Sequence, residues 1–108
     1  MTLPVFKDPL GTTDNWNTSV ALAYGHVLNP PPLSAACGGH AVCITGFRPD
    51  PAEPNGGYFV FRNSWGSGWA QNAPAPAGSN RSFVAPEPGY GSISASYVES
   101  YLWELLQL

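Results

Sequence analysis

The sequence predicts a small, mostly β domain that is closed by one terminal helix. Glycine and proline together make up 24 of its 108 residues, about twice their usual share, which favours turns over helix. Two apolar runs rich in β-branched and aromatic residues, 40–47 and 58–64, flank the turn-forming stretch 48–57, so they predict an antiparallel hairpin. Residues 94–108 repeat apolar side chains at helical spacing. The chain length fits a single domain over residues 1–108.

The other elements follow in order along the chain. Residues 3–6 predict a short strand, residues 17–24 either a helical turn or a strand, and residues 29–36 a rigid loop around three consecutive prolines. The stretch 70–88 is rich in proline, alanine and small polar residues, which predicts an exposed loop insertion. Residues 89–94 then predict one more short strand.

The terminal helix is amphipathic. Ser94 or Ser96 is suited to cap its first turn. Its apolar stripe consists of Tyr97, Val98, Tyr101, Leu102 and Leu105, and we expect this stripe to pack on the sheet.

The charge content is low. Charged residues make up 10% of the chain, against about 25% in typical domains, so we expect an apolar face that something else covers. The net charge is −3 and the basic residues are scattered, which argues against nucleic acid as a partner. No stretch approaches the ~20 apolar residues of a membrane helix, and the first residues lack the apolar core of a signal peptide. The sequence therefore predicts a soluble protein with no membrane partner.

The cysteines predict free thiols and no metal site. Cys37 and Cys43 are six positions apart, roughly 20 Å along an extended chain, which is too far for a disulfide. Together with His26 and His40 they are the only thiols and imidazoles, so a zinc site would need nearly all of them. No cofactor motif is present.

Neither cysteine is a good nucleophilic partner for His40. In an extended strand over residues 40–47, His40 and Ile44 share one face while Cys43 lies on the other. Cys37 stands three residues before His40, across a Gly-Gly bend. A nucleophile on the same flexible loop as its base is poorly oriented, and catalysis depends on rigid placement.

Asn63 is the candidate orienting partner of His40. It lies at the end of the second strand of the predicted hairpin, and antiparallel pairing can bring it beside the start of the first strand. An amide oxygen that accepts from one ring N–H fixes the histidine tautomer and leaves the other nitrogen free to face a nucleophile. The neighbouring indole of Trp65 would keep water off that bond.

These segments resemble a known enzyme family. CGGHAVCITGF at residues 37–47, followed by YFVFRNSWGSGW at 58–69, is similar to the C-terminal half of the papain-like cysteine peptidases. In that family a Gly- or Asn-His-Ala-Val strand and an Asn-Ser-Trp-Gly segment carry the catalytic histidine and asparagine. PGYGSISASYVESY at 88–101 is similar to the family's closing Gly-Tyr strand and the tyrosine-containing segment after it. The resemblance implies an α+β fold whose C-terminal lobe is an antiparallel, half-barrel-like sheet.

The resemblance also implies site roles. His40 would be the general base and imidazolium partner, Asn63 its orienting residue, and Trp65 the shield over their hydrogen bond. The other supporting positions that match the motifs are Gly39, Ser64 and Trp69, the last of which is often near the primed side of the family's cleft. Ala70 stands where the family has a further glycine. No metal or cofactor is implied.

The nucleophile of the family has no counterpart here. Only 39 residues precede His40, whereas the family's cysteine lies ≈ 130–150 residues upstream of its histidine. No Cys-Gly-Ser-Cys-Trp-like segment and no glutamine for an oxyanion hole precede His40. The resemblance therefore implies a peptide or protein substrate, and a Cys-bearing helical lobe supplied by another chain or by a region absent from this one. We expect no peptide cleavage by this chain alone.

Two other interpretations are open at this point. The chain could be a non-catalytic module that keeps the cleft wall to bind a peptide or a partner protein. It could also be a gene fragment without a present function.

Overall fold

The computed structural model describes residues 1–7, 14–30, 35–52, 56–74 and 85–102. These described residues are mostly β and form two sheets and two short helices. The elements in chain order are β1 (Thr2–Lys7), α1 (Ser19–Tyr24), β2 (His26–Val27), β3 (Ala35–Ala41), β4 (Cys43–Pro49), β5 (Gly57–Arg62), β6 (Tyr90–Ser94) and α2 (Ala95–Tyr101).

The strands form a two-stranded and a four-stranded sheet. Strands β1 and β3 pair antiparallel, with Leu3 opposite His40. The larger sheet has the order β2-β6-β5-β4, in which β2 and β6 are parallel and the other pairs are antiparallel. The strands predicted at 3–6 and 89–94 are confirmed as β1 and β6, and the uncertain segment 17–24 contains α1.

The predicted hairpin is present, but its first strand is shorter than expected. Residues 40–47 are not one strand, because β3 ends at Ala41 and β4 begins at Cys43 in the other sheet. Between them, Val42 makes two hydrogen bonds with Met1, both at 2.9 Å. The Val42 N–H donates to the Met1 carbonyl, and the Met1 amino group donates to the Val42 carbonyl. The pairing with β1 therefore continues through Val42 before the chain joins β5. His40 lies on the small sheet, not on the hairpin.

The loop predicted at 29–36 is also too long, because β3 already begins at Ala35. Residues 31–34 lie outside the described residues. The expected alternation of faces around His40 is confirmed: Ala41 and Cys43 are exposed, whereas Val42 is buried. Cys37 and Cys43 are free thiols, as predicted.

The terminal helix is shorter than the periodicity predicted. Helix α2 ends at Tyr101, and residues 103–108, including Leu105, lie outside the described residues. Ser94 caps it, its hydroxyl accepting from the Tyr97 N–H at 3.2 Å. In the described part of the predicted stripe, Tyr97 and Val98 are buried, whereas Tyr101 and Leu102 are 37% and 39% exposed. The first turn of the helix therefore packs on the core, and its last turn is partly exposed.

The ends of the predicted insertion belong to the core. Ala70, Ala73 and Ala85 are buried, and the N–H groups of residues 71 and 72 donate to carbonyl oxygens of residues 22 and 23 in α1, at 2.9 and 2.7 Å. The prediction of an exposed loop is therefore wrong at these three alanines, whereas the other described residues of the segment, 71, 72, 74 and 86–88, are exposed and lie outside helices and strands. Small side chains let this backbone approach the helix, while residues 75–84 lie outside the described residues.

One hydrophobic core joins the two sheets, α1 and α2. Its largest fully buried side chains are Trp16, Tyr97, Phe61, Leu3, Ile93 and Val27. Among the described residues, no helix is long and apolar enough to cross a membrane.

Candidate functional site

His40 and Asn63 meet where the two sheets adjoin. His40 is the second-last residue of β3, and Asn63 directly follows β5. The Nε2 atom of His40 lies 2.7 Å from the Asn63 Oδ1 atom. The contact predicted from the sequence is therefore present, although His40 lies in the small sheet and Asn63 follows a strand of the larger one.

The hydrogen bonds around Asn63 define the histidine tautomer. The Ser64 backbone N–H donates to Asn63 Oδ1 at 2.8 Å, which identifies that atom as the amide oxygen. An oxygen acceptor requires Nε2 of His40 to carry the proton. In the neutral ring, Nδ1 then has the free lone pair. Within the part of the chain that the structure describes, no hydrogen bond to Nδ1 occurs.

The backbone around Asn63 holds its side chain in place. The Asn63 N–H donates to the Gly89 carbonyl at 3.0 Å, which extends the β5–β6 pairing past the end of β5. The chain then turns at Gly66, whose φ of 74° is a left-handed conformation that favours glycine. Asn63 is only 4% exposed, so this amide is a buried and rigid acceptor. Its Nδ2 atom has no hydrogen-bond partner among the described residues.

Trp65 covers the imidazole of His40. The two rings are stacked at a centroid distance of 4.3 Å and an interplanar angle of 29°. Trp65 is itself 44% exposed. One side of this indole therefore faces the histidine, and the rest is exposed.

The remaining predicted residues have different positions. Ser64 contributes its backbone N–H, as described above, and its side chain is exposed. Gly39 is exposed on β3, opposite Pro4. Trp69 is 3% exposed and its Nε1 donates to the Trp16 carbonyl at 2.8 Å. Trp69 is a core residue and does not line an open cleft wall.

Trp16 is a neighbour of His40 that the sequence did not indicate. Its indole is fully buried and meets the His40 ring edge-on, at a centroid distance of 5.0 Å and an angle of 77°. It precedes His40 by 24 positions in a segment without periodicity. A tryptophan among turn-forming residues is a weak signal, and only the fold brings it to this site.

The described cysteines do not complete a catalytic pair. Cys37 is exposed and its thiol lies 3.4 Å from the Val5 carbonyl, and Cys43 is exposed with its sulfur near the carbonyl of Ile44. No cluster of three or more potential metal ligands occurs among the residues that the structure describes.

A separate open groove of about 840 Å³ lies beside the end of the hairpin. Cys43, Arg62 and Glu87 line it together with Asn63 and Tyr90. His40 does not line it. The groove therefore brings polar and charged side chains close to Asn63, the partner of His40.

Comparisons of this chain with protein-family models, with curated proteins and with solved structures find no match.

Proposed function

We propose that this chain is the histidine- and asparagine-bearing lobe of a papain-like cysteine peptidase. The nucleophilic cysteine would come from a helical lobe in another chain or in another region of a longer protein. The proposal implies that the strands adopt the half-barrel-like sheet of this family. The observation that carries the proposal is the buried Asn63 oxygen, which accepts from both Ser64 N–H and His40 Nε2–H.

The chemistry follows from this tautomer. Nδ1 of His40 takes the proton of the cysteine thiol, which gives a thiolate and an imidazolium. The thiolate attacks the carbonyl carbon of a peptide bond, and the C–N bond breaks as Nδ1–H protonates the leaving amine. Water then gives a proton to Nδ1 as its oxygen attacks the thioester, and the thiolate leaves. Nε2–H keeps its bond to Asn63 throughout.

The partner lobe must supply what this chain lacks. A thiolate needs a site that lowers the thiol pKa, and the tetrahedral intermediate needs preorganised hydrogen-bond donors. The exposed part of Trp65 lies next to the imidazole, so it would form part of the wall along which a peptide substrate passes. The low charge of the chain agrees with a face that another lobe covers.

The test uses a peptide epoxide that alkylates thiolates. The tagged chain is purified from its native cells with whatever binds it, and the probe is added. We expect a co-purifying polypeptide to be labelled at one cysteine. His40→Gln should slow labelling by at least ~100-fold, because removal of a general base typically costs 10²–10⁴ in rate.

The other histidine provides the matched control. His26 lies in β2 and pairs with Ser92 of β6, so His26→Gln should leave the labelling rate within a few-fold of the wild type. Equal labelling of the His40→Gln and His26→Gln complexes would contradict the catalytic role of His40.

A second candidate function is a non-catalytic peptide-binding module. The 840 Å³ groove favours it, because the groove does not include His40 and presents both Arg62 and Glu87. Peptide binding that survives His40→Gln but is lost in Arg62→Ala would support this function. Binding that depends on His40 instead would count against it.

A further inference from the structure

Trp16 occupies the centre of an aromatic cluster beneath the candidate site. Its ring contacts Phe61 at a centroid distance of 5.3 Å, Trp69 at 6.3 Å and Trp65 at 6.4 Å, in addition to His40 at 5.0 Å. It is fully buried. Trp16 and Trp65 are the two described indoles in ring contact with the imidazole.

The segment that carries Trp16 is neither a helix nor a strand, yet several hydrogen bonds hold residues 15 and 16 in place. The Trp16 N–H donates to Asp14 Oδ1 at 2.9 Å, and the Trp16 carbonyl accepts from Trp69 Nε1 at 2.8 Å. The adjacent Asn15 pairs with Phe6 through its backbone and its side chain, each at 2.9 Å. This backbone therefore has little freedom. The indole itself is held by packing against Phe61 and Trp69, since its Nε1 atom has no hydrogen-bond partner among the described residues.

One hydrogen bond does not orient a histidine ring completely. With Nε2 held by Asn63, the imidazole can still swing and tilt about that anchor, and Nδ1 moves with it. Trp65 stacks on a face of the ring. The centroid distances of 5.0, 4.3 and 6.4 Å place Trp16 at about a right angle to Trp65, as seen from His40. The two indoles therefore restrict two different motions.

We propose that Trp16 is a positioning residue for His40. Its rigid indole packs edge-on against the imidazole, at about a right angle to Trp65, so that the ring keeps one tautomer and one direction of Nδ1. The catalytic purpose of this placement rests on the proposed function. The placement itself is a property of the isolated chain, so it can be measured without any partner or reaction.

The test is ¹⁵N NMR of the imidazole nitrogens in the full chain, at a pH where the rings are neutral. The chain has two histidines, so His26 serves as an internal reference. We expect wild-type His40 to show a single tautomer with the proton on Nε2 and slow exchange of that proton. In Trp16→Leu, the two nitrogen shifts should move towards each other, and the proton should exchange at least ~10-fold faster, in line with a 10-fold change in an opening equilibrium.

Two variants separate positioning from general loss of stability. Phe6→Leu also shortens a buried aromatic side chain, but Phe6 makes no ring contact with His40 in the described part of the chain, so the His40 signals should stay unchanged. Trp16→Phe keeps an aromatic ring at the site, so its exchange rate should lie between those of the wild type and Trp16→Leu.

Wild-type His40 shifts and exchange in folded Trp16→Leu would overturn the proposal. If Trp16→Leu does not fold, Trp16→Phe decides: faster exchange than in Phe6→Leu supports the positioning role, and wild-type exchange overturns it. None of these readouts depends on labelling by the peptide epoxide. A failure of the peptidase proposal and a failure of the Trp16 proposal are therefore distinguishable.

Discussion

Replacement of Asn15 by alanine tests the network that supports the site. The Asn15 side chain is buried and makes three hydrogen bonds to other described residues. Oδ1 accepts from the Phe6 N–H at 2.9 Å, and Nδ2 donates to the Leu28 carbonyl at 3.0 Å and to the Tyr97 hydroxyl at 2.9 Å. Tyr97 in turn donates to the Pro4 carbonyl at 2.6 Å. One amide therefore connects β1, the end of β2 and α2.

The three bonds do not contribute equally. Asn15→Ala leaves the Phe6 N–H buried without its partner, which costs about 1–3 kcal/mol. Tyr97 keeps its bond to Pro4 and loses only an incoming donor, a net effect of roughly 1 kcal/mol. The hydrogen bond to the Leu28 carbonyl is only partly buried, so water can replace the lost amide donor there. We therefore expect unfolding to become easier by about 2–4 kcal/mol, a large part of the roughly 5–15 kcal/mol of a typical domain.

Urea unfolding followed by tryptophan fluorescence measures this loss. With an m-value of roughly 1–3 kcal/mol/M, a loss of about 3 kcal/mol lowers the midpoint by roughly 1–3 M. Asn17→Ala is the matched control, because the Asn17 amide is exposed and, among the residues that the structure describes, bonds only to Asp14. That change should stay within about 0.5 kcal/mol. Equal midpoints for the two variants would refute the assignment of Asn15 as a structural clamp.

Two further predictions concern Tyr97 and Gly91. Burial raises the pKa of Tyr97 above its ordinary value of 10.0, so the folded chain holds the phenol proton at pH values where the unfolded chain releases it. The resulting contribution of Tyr97 to the free energy of unfolding is complete below about pH 10 and is lost as the pH rises through the folded pKa. Urea midpoints measured from about pH 8 to 11 should therefore fall more steeply in the wild type than in Tyr97→Phe. Parallel curves for the two proteins would contradict this prediction. Gly91→Ala would place a Cβ 2.5 Å from Phe61 Cζ and 2.8 Å from the Trp69 ring, which should cost about 1–3 kcal/mol of unfolding free energy. Gly38→Ala is its control, because open space surrounds the new Cβ. Similar urea midpoints for the two variants would contradict the tight packing around Gly91.

The elements that the sequence predicts well are those with a strong local pattern. The apolar runs around 58–64 and 89–94 form β5 and β6, and the Ser94 cap begins α2 as expected. These features depend on periodicity and turn chemistry within a few residues of each other. The contact of His40 with Asn63 was also predicted, but from a hairpin that does not include His40, since in the structure it joins β3 of the small sheet to the residue after β5.

The tertiary structure decided the rest, because it depends on contacts between distant residues. The break at Val42 arises from pairing with Met1, 41 positions away, and no local pattern marks it. Trp16 comes to His40 because Asn15 fixes its segment to β1 and α2 and because Trp69 donates to its carbonyl. The sequence by itself determined which residue types are candidates for chemistry, since the side-chain types and their positions along the chain are local properties. The direction of the His40 ring was decided by packing against Trp16 and Trp65, because that geometry exists only when the two sheets close on one core.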